Sequence, residues 1–151
     1  MRISRSLDYA IRALVYLGTY PTGDLHHIAQ STRVPQPYLA KIMNRLVRKG
    51  LVRSTVGRDG GYVLRKRPQD ITVREVFEAV EGEFHLFECY FGAEECYFIS
   101  QNCAQLRFWN RLQEVILKTL ESTTLADLLP LPTQTMEVLH ARCSTPPAPN
   151  P

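Results

Sequence analysis

With 151 residues and a mass of 17.3 kDa, the chain can bury one sizeable core and has little left for a second. A hydrophobic fraction of 44% beside 22% charged residues describes an ordinary globular domain. The one apolar opening stretch, Leu7 to Gly18, is too short for a bilayer and contains Asp8 and Arg12, so neither a membrane span nor a signal peptide is expected. The net charge of +3 hides a strong asymmetry. Ten basic residues lie between Arg33 and Arg67 against a single acid, Asp59, so that stretch carries +9 and the remainder −6. A basic face that meets a polyanion is the expected consequence. Without an export signal the cytoplasm is the expected location, where four cysteines read as metal ligands or reactive thiols rather than as disulfides.

In chain order, Leu7, Ala10, Ile11, Leu14, Val15 and Gly18 recur at helical spacing and predict an amphipathic first helix, closed by Pro21, Thr22 and Gly23. Asp24 is a candidate N-cap for a short helix from Leu25 to Gln30, with Leu25, Ile28 and Ala29 facing inward. After a turn, Pro37 suits the first position of a third helix running to about Lys49. Leu39, Ile42, Met43 and Leu46 form its buried stripe, and Gly50 stops it. Leu51 to Thr55 and Tyr62 to Leu64 read as two strands joined by Gly57-Arg58-Asp59-Gly60-Gly61, a hairpin with a basic tip. A further helix is expected near Thr72, with Glu75 completing a capping box and Val73, Val76, Phe77 and Val80 inside. Residues 83–102 show no clean period. A long helix from Ala104 to about Ser122 then places Leu106, Trp109, Leu112, Val115, Ile116 and Leu120 on one side. The tail from Thr145 to Pro151 contains four prolines and no large apolar residue, and is expected to be disordered.

Short helix, turn, longer helix and glycine-tipped hairpin form the order of a winged helix-turn-helix. The second helix of such a pair fits the DNA major groove, and the hairpin reaches the backbone or minor groove beside it. Off the buried stripe of the third helix stand Tyr38, Ala40, Lys41, Arg45 and Arg48, with Gln36 just ahead of it. Gln36 is suited to a base edge and Ala40 to a thymine methyl, whereas Lys41, Arg45, Arg48 and Arg53 are suited to phosphates. Arg58 at the wing tip, beside Gly60 and Gly61, is suited to a narrow minor groove. His26 and His27 diverge along a helix and read as surface residues rather than as ligands.

Cys89, Cys96 and Cys103 are separated twice by six residues, inside the aperiodic stretch before the long helix. Thiolates at such spacing can hold an iron–sulfur cluster, can hold zinc with a fourth ligand, or can act as thiol sensors; spacing alone leaves all three open. Tyr90, Phe91, Tyr97 and Phe98 flank them, either as ordinary packing or as a screen against solvent. Cys143 reads as a spectator, and His85 and His140 are minor candidate ligands. No catalytic triad, phosphate-cradling glycine loop or acid–base pair is visible, so no enzyme is expected.

Taken together, several segments resemble the Rrf-type family of winged-helix repressors, which includes the IscR, NsrR and RirA types. They are Leu7-Asp8-Tyr9-Ala10-Ile11-Arg12-Ala13-Leu14, Pro37-Tyr38-Leu39-Ala40-Lys41-Ile42, Gly57-Arg58-Asp59-Gly60-Gly61-Tyr62-Val63-Leu64, Glu81-Gly82, the three cysteines and Thr124-Leu125-Ala126-Asp127-Leu128. The resemblance implies a homodimer built through the long C-terminal helix and bound to a pseudo-palindromic operator. IscR-type proteins carry a 2Fe–2S cluster on three cysteines and a histidine three residues after the third; Leu106 stands there in this chain. The NsrR-type pattern is closer. It implies a 4Fe–4S cluster on Cys89, Cys96 and Cys103, with Asp8 of the partner subunit as fourth ligand and Arg12 as its basic neighbour. The spacing departs from the commoner five and five, which bears on cluster type and signal. A carboxylate holds cluster iron less firmly than a thiolate, so nitric oxide, oxygen or iron loss would act first at Asp8 and release the first helix.

The expected architecture is therefore mostly α with a small β-hairpin wing. A winged helix-turn-helix DNA-binding domain over residues 1–82 precedes a cluster-binding loop over 83–103. A dimerisation helix and end segment over 104–129 and a tail over 130–151 follow. The function expected is cluster-regulated transcriptional repression, with nitric oxide as first signal and iron or redox status as second. A cluster-free thiol- or partner-sensing regulator and an iron–sulfur electron carrier are the rival readings.

Overall fold

The computed structural model describes residues 4–55, 60–86 and 103–130. Helix α1 spans Arg5–Thr19, α2 Leu25–Thr32 and α3 Gln36–Arg48; strands β1 (Val52–Thr55) and β2 (Gly61–Leu64) follow, then α4 (Val73–Val80) and α5 (Ala104–Ser122). Short 3₁₀ turns at Pro68–Asp70 and Ala126–Leu128 complete the described elements. The mostly helical, winged arrangement expected from the sequence is the one observed. The tail and the residues around Cys89 and Cys96 lie outside the described residues.

Local chemistry starts each helix. The Ser4 hydroxyl accepts from Leu7 N–H at 3.1 Å to open α1, and Asp24 Oδ1 accepts from His27 N–H at 2.9 Å to open α2. At α4 the expected capping box is complete: Thr72 Oγ1 accepts from Glu75 N–H, and Glu75 Oε2 accepts from Thr72 N–H at 3.0 Å. Several boundaries differ from expectation, β1 opening at Val52 rather than Leu51 and β2 at Gly61 rather than Tyr62. Helix α2 continues to Thr32, whose hydroxyl folds back onto Ile28 O at 2.6 Å. Helix α3 begins one residue early, with Pro35 at its N-cap, Gln36 inside the first turn and Pro37 second. Both prolines flanking Gln36 suit a helix start, and the apolar stripe does not distinguish between them.

The core lies where α1 crosses α2, α3 and α4. Leu14, Ile28, Leu39, Ile42, Met43, Leu46 and Ile71 are at most 2% exposed. The hairpin pairs Val52 with Leu64 through Thr55 with Gly61 in antiparallel register. It is not free-standing, because Tyr62 N–H donates to Gly23 O at 2.8 Å and Gly23 N–H to Tyr62 O at 3.2 Å. That bridge depends on Gly61: a Cβ there would lie 2.7 Å from Gly23 O. At the other end, Val73 N–H donates to Thr123 O at 2.9 Å and Leu125 N–H to Ile71 O at 2.7 Å, which seats Leu125 (2% exposed) in the core and joins α5 to α4. No helix among the described residues is long and apolar enough to cross a membrane.

Candidate functional site

Helix α3 turns one face inward and leaves Gln36, Tyr38, Lys41, Asn44, Arg45 and Arg48 exposed, with Ala40 half-buried. It contains no acidic residue, so the charges on its outward face are all cationic. Arg53 is exposed on β1, Gly60 precedes β2, and Gly61 is held against the α1–α2 turn; Arg58 lies outside the described residues.

The basic side chains of α3 are not equivalent. Arg45 Nη1 donates to Val80 O at 2.7 Å, tying the helix to the last turn of α4. Arg48 Nε donates to Asn44 O at 3.4 Å, within its own helix. Tyr38 is fastened to α1 from two sides. Its hydroxyl lies 3.1 Å from Ser6 Oγ, and its ring meets that of Tyr9 edge-on, with centroids 5.6 Å apart, while 41% of the residue remains exposed. These anchors on α1 and α4 have no sequence signal, because they join residues far apart in the chain.

On α1, Asp8 and Arg12 form a two-pronged ion pair. Arg12 Nε donates to Asp8 Oδ1 at 3.0 Å, and Nη2 lies 2.9 Å from Oδ2. The two side chains are 42–44% exposed, so the carboxylate is oriented yet open to solvent. Arg12 Nη1 also reaches Thr32 O at 3.5 Å, at the end of α2. Asp8 therefore lies between residues that grip Tyr38 and beside an arginine that touches the helix-turn-helix turn.

Cys103 occupies the N-cap position of α5, half-buried, with no disulfide and no capping bond from its side chain. Its sulfur is thus uncommitted to local structure. Upstream, Leu86 N–H donates to Gln113 Oε1 at 3.0 Å, and Gln113 is only 7% exposed. Leu86 and Cys103, the described residues on either side of positions 87–102, thus both lie at α5. Cys89 and Cys96, with Tyr90, Phe91, Tyr97 and Phe98, lie in that span outside the described residues, as do His140 and Cys143. His85 places Nε2 3.5 Å from Glu83 Oε2. His26 and His27 are exposed at the start of α2, where His27 pairs with Asp24. Bonds from the His27 backbone and then its ring hold the Asp24 carboxyl below its ordinary value. Among the described residues the Cys103 thiol and the Asp8 carboxylate are candidate donors for a soft metal centre, Leu106 offers none, and no group of three metal-ligating side chains is brought together.

The sequence profile described as "Rrf2: Iron-dependent Transcriptional regulator" matches residues 3–130. The chain is 30% identical over 145 residues to the HTH-type transcriptional regulator NsrR of Bacillus subtilis, covering 94% of this chain and 99% of that one. Among solved structures it is similar to CymR, the global cysteine regulator of B. subtilis, with a TM-score of 0.70 and 28% identity over 85% of this chain and 95% of the other. It is also similar to IscR of T. potens, with a TM-score of 0.68 and 26% identity over 85% of each chain.

Proposed function

The chain belongs to the Rrf2 family of transcriptional regulators, and from that premise we propose that it is a homodimeric repressor controlled by an iron–sulfur cluster. Cys89, Cys96 and Cys103 of one subunit and Asp8 of the partner subunit would hold the cluster, as a 4Fe–4S rather than a 2Fe–2S centre. When bound, the cluster would supply a centre reactive towards nitric oxide and sensitive to iron and redox status.

One observation carries the reading: α1 presents Asp8 outward while Ser6 and Tyr9, on either side of it, hold Tyr38 of the recognition helix. A pull on the Asp8 carboxylate from a second chain is thereby a pull on α3. Loss of that ligand would leave Asp8 to Arg12 alone and would be felt at the first turn of α3 through the contacts of Ser6 and Tyr9 with Tyr38. In a dimer reading two half-sites about one DNA turn apart, a small shift in both helices changes the fit to the operator. Leu106 at the position of the IscR-type histidine supports the carboxylate-ligated cluster over the histidine-ligated one. Residues 1–82 would form the DNA-binding unit, 83–103 the cluster segment and 104–129 the dimerisation unit.

Anaerobic native mass spectrometry of wild type and Asp8→Ala, paired with gel shifts on the gene's own promoter before and after a nitric oxide donor, tests the proposal. The wild type should be a dimer carrying iron and sulfide, and Asp8→Ala should lose them more readily. Cluster loss should weaken promoter binding by about 5- to 150-fold, the usual range of coupling between two sites. A reconstituted protein free of iron and sulfide overturns the cluster. The likeness to the cysteine regulator CymR favours, as a second reading, a cluster-free thiol sensor. In that case replacing all three cysteines leaves the metal content at zero and removes only the response to oxidants. An electron carrier would leave the cationic face of α3 without a partner.

A further inference from the structure

Two helices of the DNA-binding region end in the same way. At the end of α2, Val34 N–H donates to Ala29 O at 3.1 Å and Arg33 N–H to Gln30 O at 3.3 Å. At the end of α3, Leu51 N–H donates to Leu46 O and Gly50 N–H to Val47 O, both at 3.0 Å. In this paired-bond terminus a residue just past the helix turns left-handed and the next returns an apolar side chain to the core. Val34 and Leu51 do so, at 3% and 2% exposure.

The residues at the left-handed position differ. Gly50, at φ +74°, takes it without steric cost. Arg33 takes it at φ 54° and ψ 36°, and is the one non-glycine residue at positive φ among the described residues. An arginine there destabilises the fold relative to glycine, because its Cβ crowds the backbone. Among the described residues nothing compensates. Arg33 is exposed, and its guanidinium makes no hydrogen bond or ion pair among the described residues. The nearest acids in sequence are Asp24 and Asp59, with none between them. Its position is three residues ahead of Gln36, at the N-terminal mouth of α3. Strain retained at an exposed cation beside the reading helix is the pattern of a residue kept for binding.

We infer that Arg33 contacts a DNA phosphate from the turn between α2 and α3, fixing how the first turn of α3 enters the groove. The inference rests on reading α3 as the groove-entering helix. The two backbone bonds that hold Arg33 give its side chain a fixed point of departure, so little main-chain freedom is lost on contact. The contact carries no sequence information and adds one neutralised phosphate.

The experiment uses the full chain, a random-sequence DNA duplex as probe, and Arg33→Gly, Arg33→Asn and Arg33→Lys, with affinity followed against salt concentration. Arg33→Gly and Arg33→Asn should lower the slope of log affinity against log salt by about 0.9, the loss of one phosphate contact, while Arg33→Lys retains it. The melting temperature of Arg33→Gly should be unchanged or higher by up to about 3 °C, because relief of the left-handed strain outweighs the added freedom of the unfolded chain. Binding and stability thus move in opposite directions. Wild-type slopes in both neutral variants overturn the inference, as does a lower melting temperature in both, which would make Arg33 structural. If the wild type itself shows no salt-dependent binding, it is the reading of α3 that fails.

Discussion

The region from α1 to α4 and the face of α5 solve the problem of apolar surface in opposite ways. Between α1 and α4, the inner stripes are covered by other elements of the same chain, with Ile11, Leu25 and Phe77 partly buried against that core. On α5, Phe108, Trp109 and Val115 are 60%, 37% and 55% exposed, while Gln113 is buried against the residues leading to the cysteines. The first region is finished by its own sequence; the second shows water an aromatic and aliphatic face that a second subunit would cover. In the proposed homodimer, folding of the DNA-binding part and subunit assembly would therefore be separable in energy, although α5 is joined to α4 through Leu125.

The sharpest way to break this contrast is in the core. Leu46→Ala removes a side chain with no exposure and should cost about 2–5 kcal/mol, read as an earlier midpoint in urea unfolding. Next in size, Trp109→Ala should weaken subunit association by about 2 kcal/mol or more while leaving amide protection in α1–α3 intact. Sedimentation velocity reports the first effect and hydrogen exchange the second; loss of protection in α1–α3 would merge the two regions into one. The smallest effect is in acid. The Asp24 carboxyl is held below its ordinary value of 3.8 by the His27 backbone bond and then the His27 ring. The fold thus favours its ionised form, and the stability it adds is present above that value and disappears as pH falls through the lower folded-state value. Asp24→Asn, which keeps the cap but not the charge, should flatten the acid limb of a melting-temperature profile at every protein concentration.

Signals that act over three or four residues were legible in the sequence. The Asp24 cap, the Thr72–Glu75 box, Gly50 as terminator and the span of α5 all follow from neighbours in the chain. The stripe of α3 was legible too, though not which of Pro35 and Pro37 opens it. The contacts that orient the reading helix were not. Arg45 suits a phosphate by charge and exposure, yet its guanidinium is already bonded to Val80 O, and nothing near residue 45 announces a carbonyl at residue 80. The grip of Ser6 and Tyr9 on Tyr38 is of the same kind. The 3₁₀ turns are too short for any periodicity, and the ladder from Ile71 to Leu125 closes only after α5 has folded back.

The wing's attachment at Gly23 and Tyr62 has a further consequence. Two main-chain bonds fix the hairpin to the turn behind α1, on ground that also carries α2 and hence α3. Helix and hairpin thus behave as the two jaws of a set calliper, with a gap decided before any duplex arrives. A target whose grooves do not match that gap must itself bend or narrow, and sequences that deform easily gain an advantage at base pairs no side chain touches.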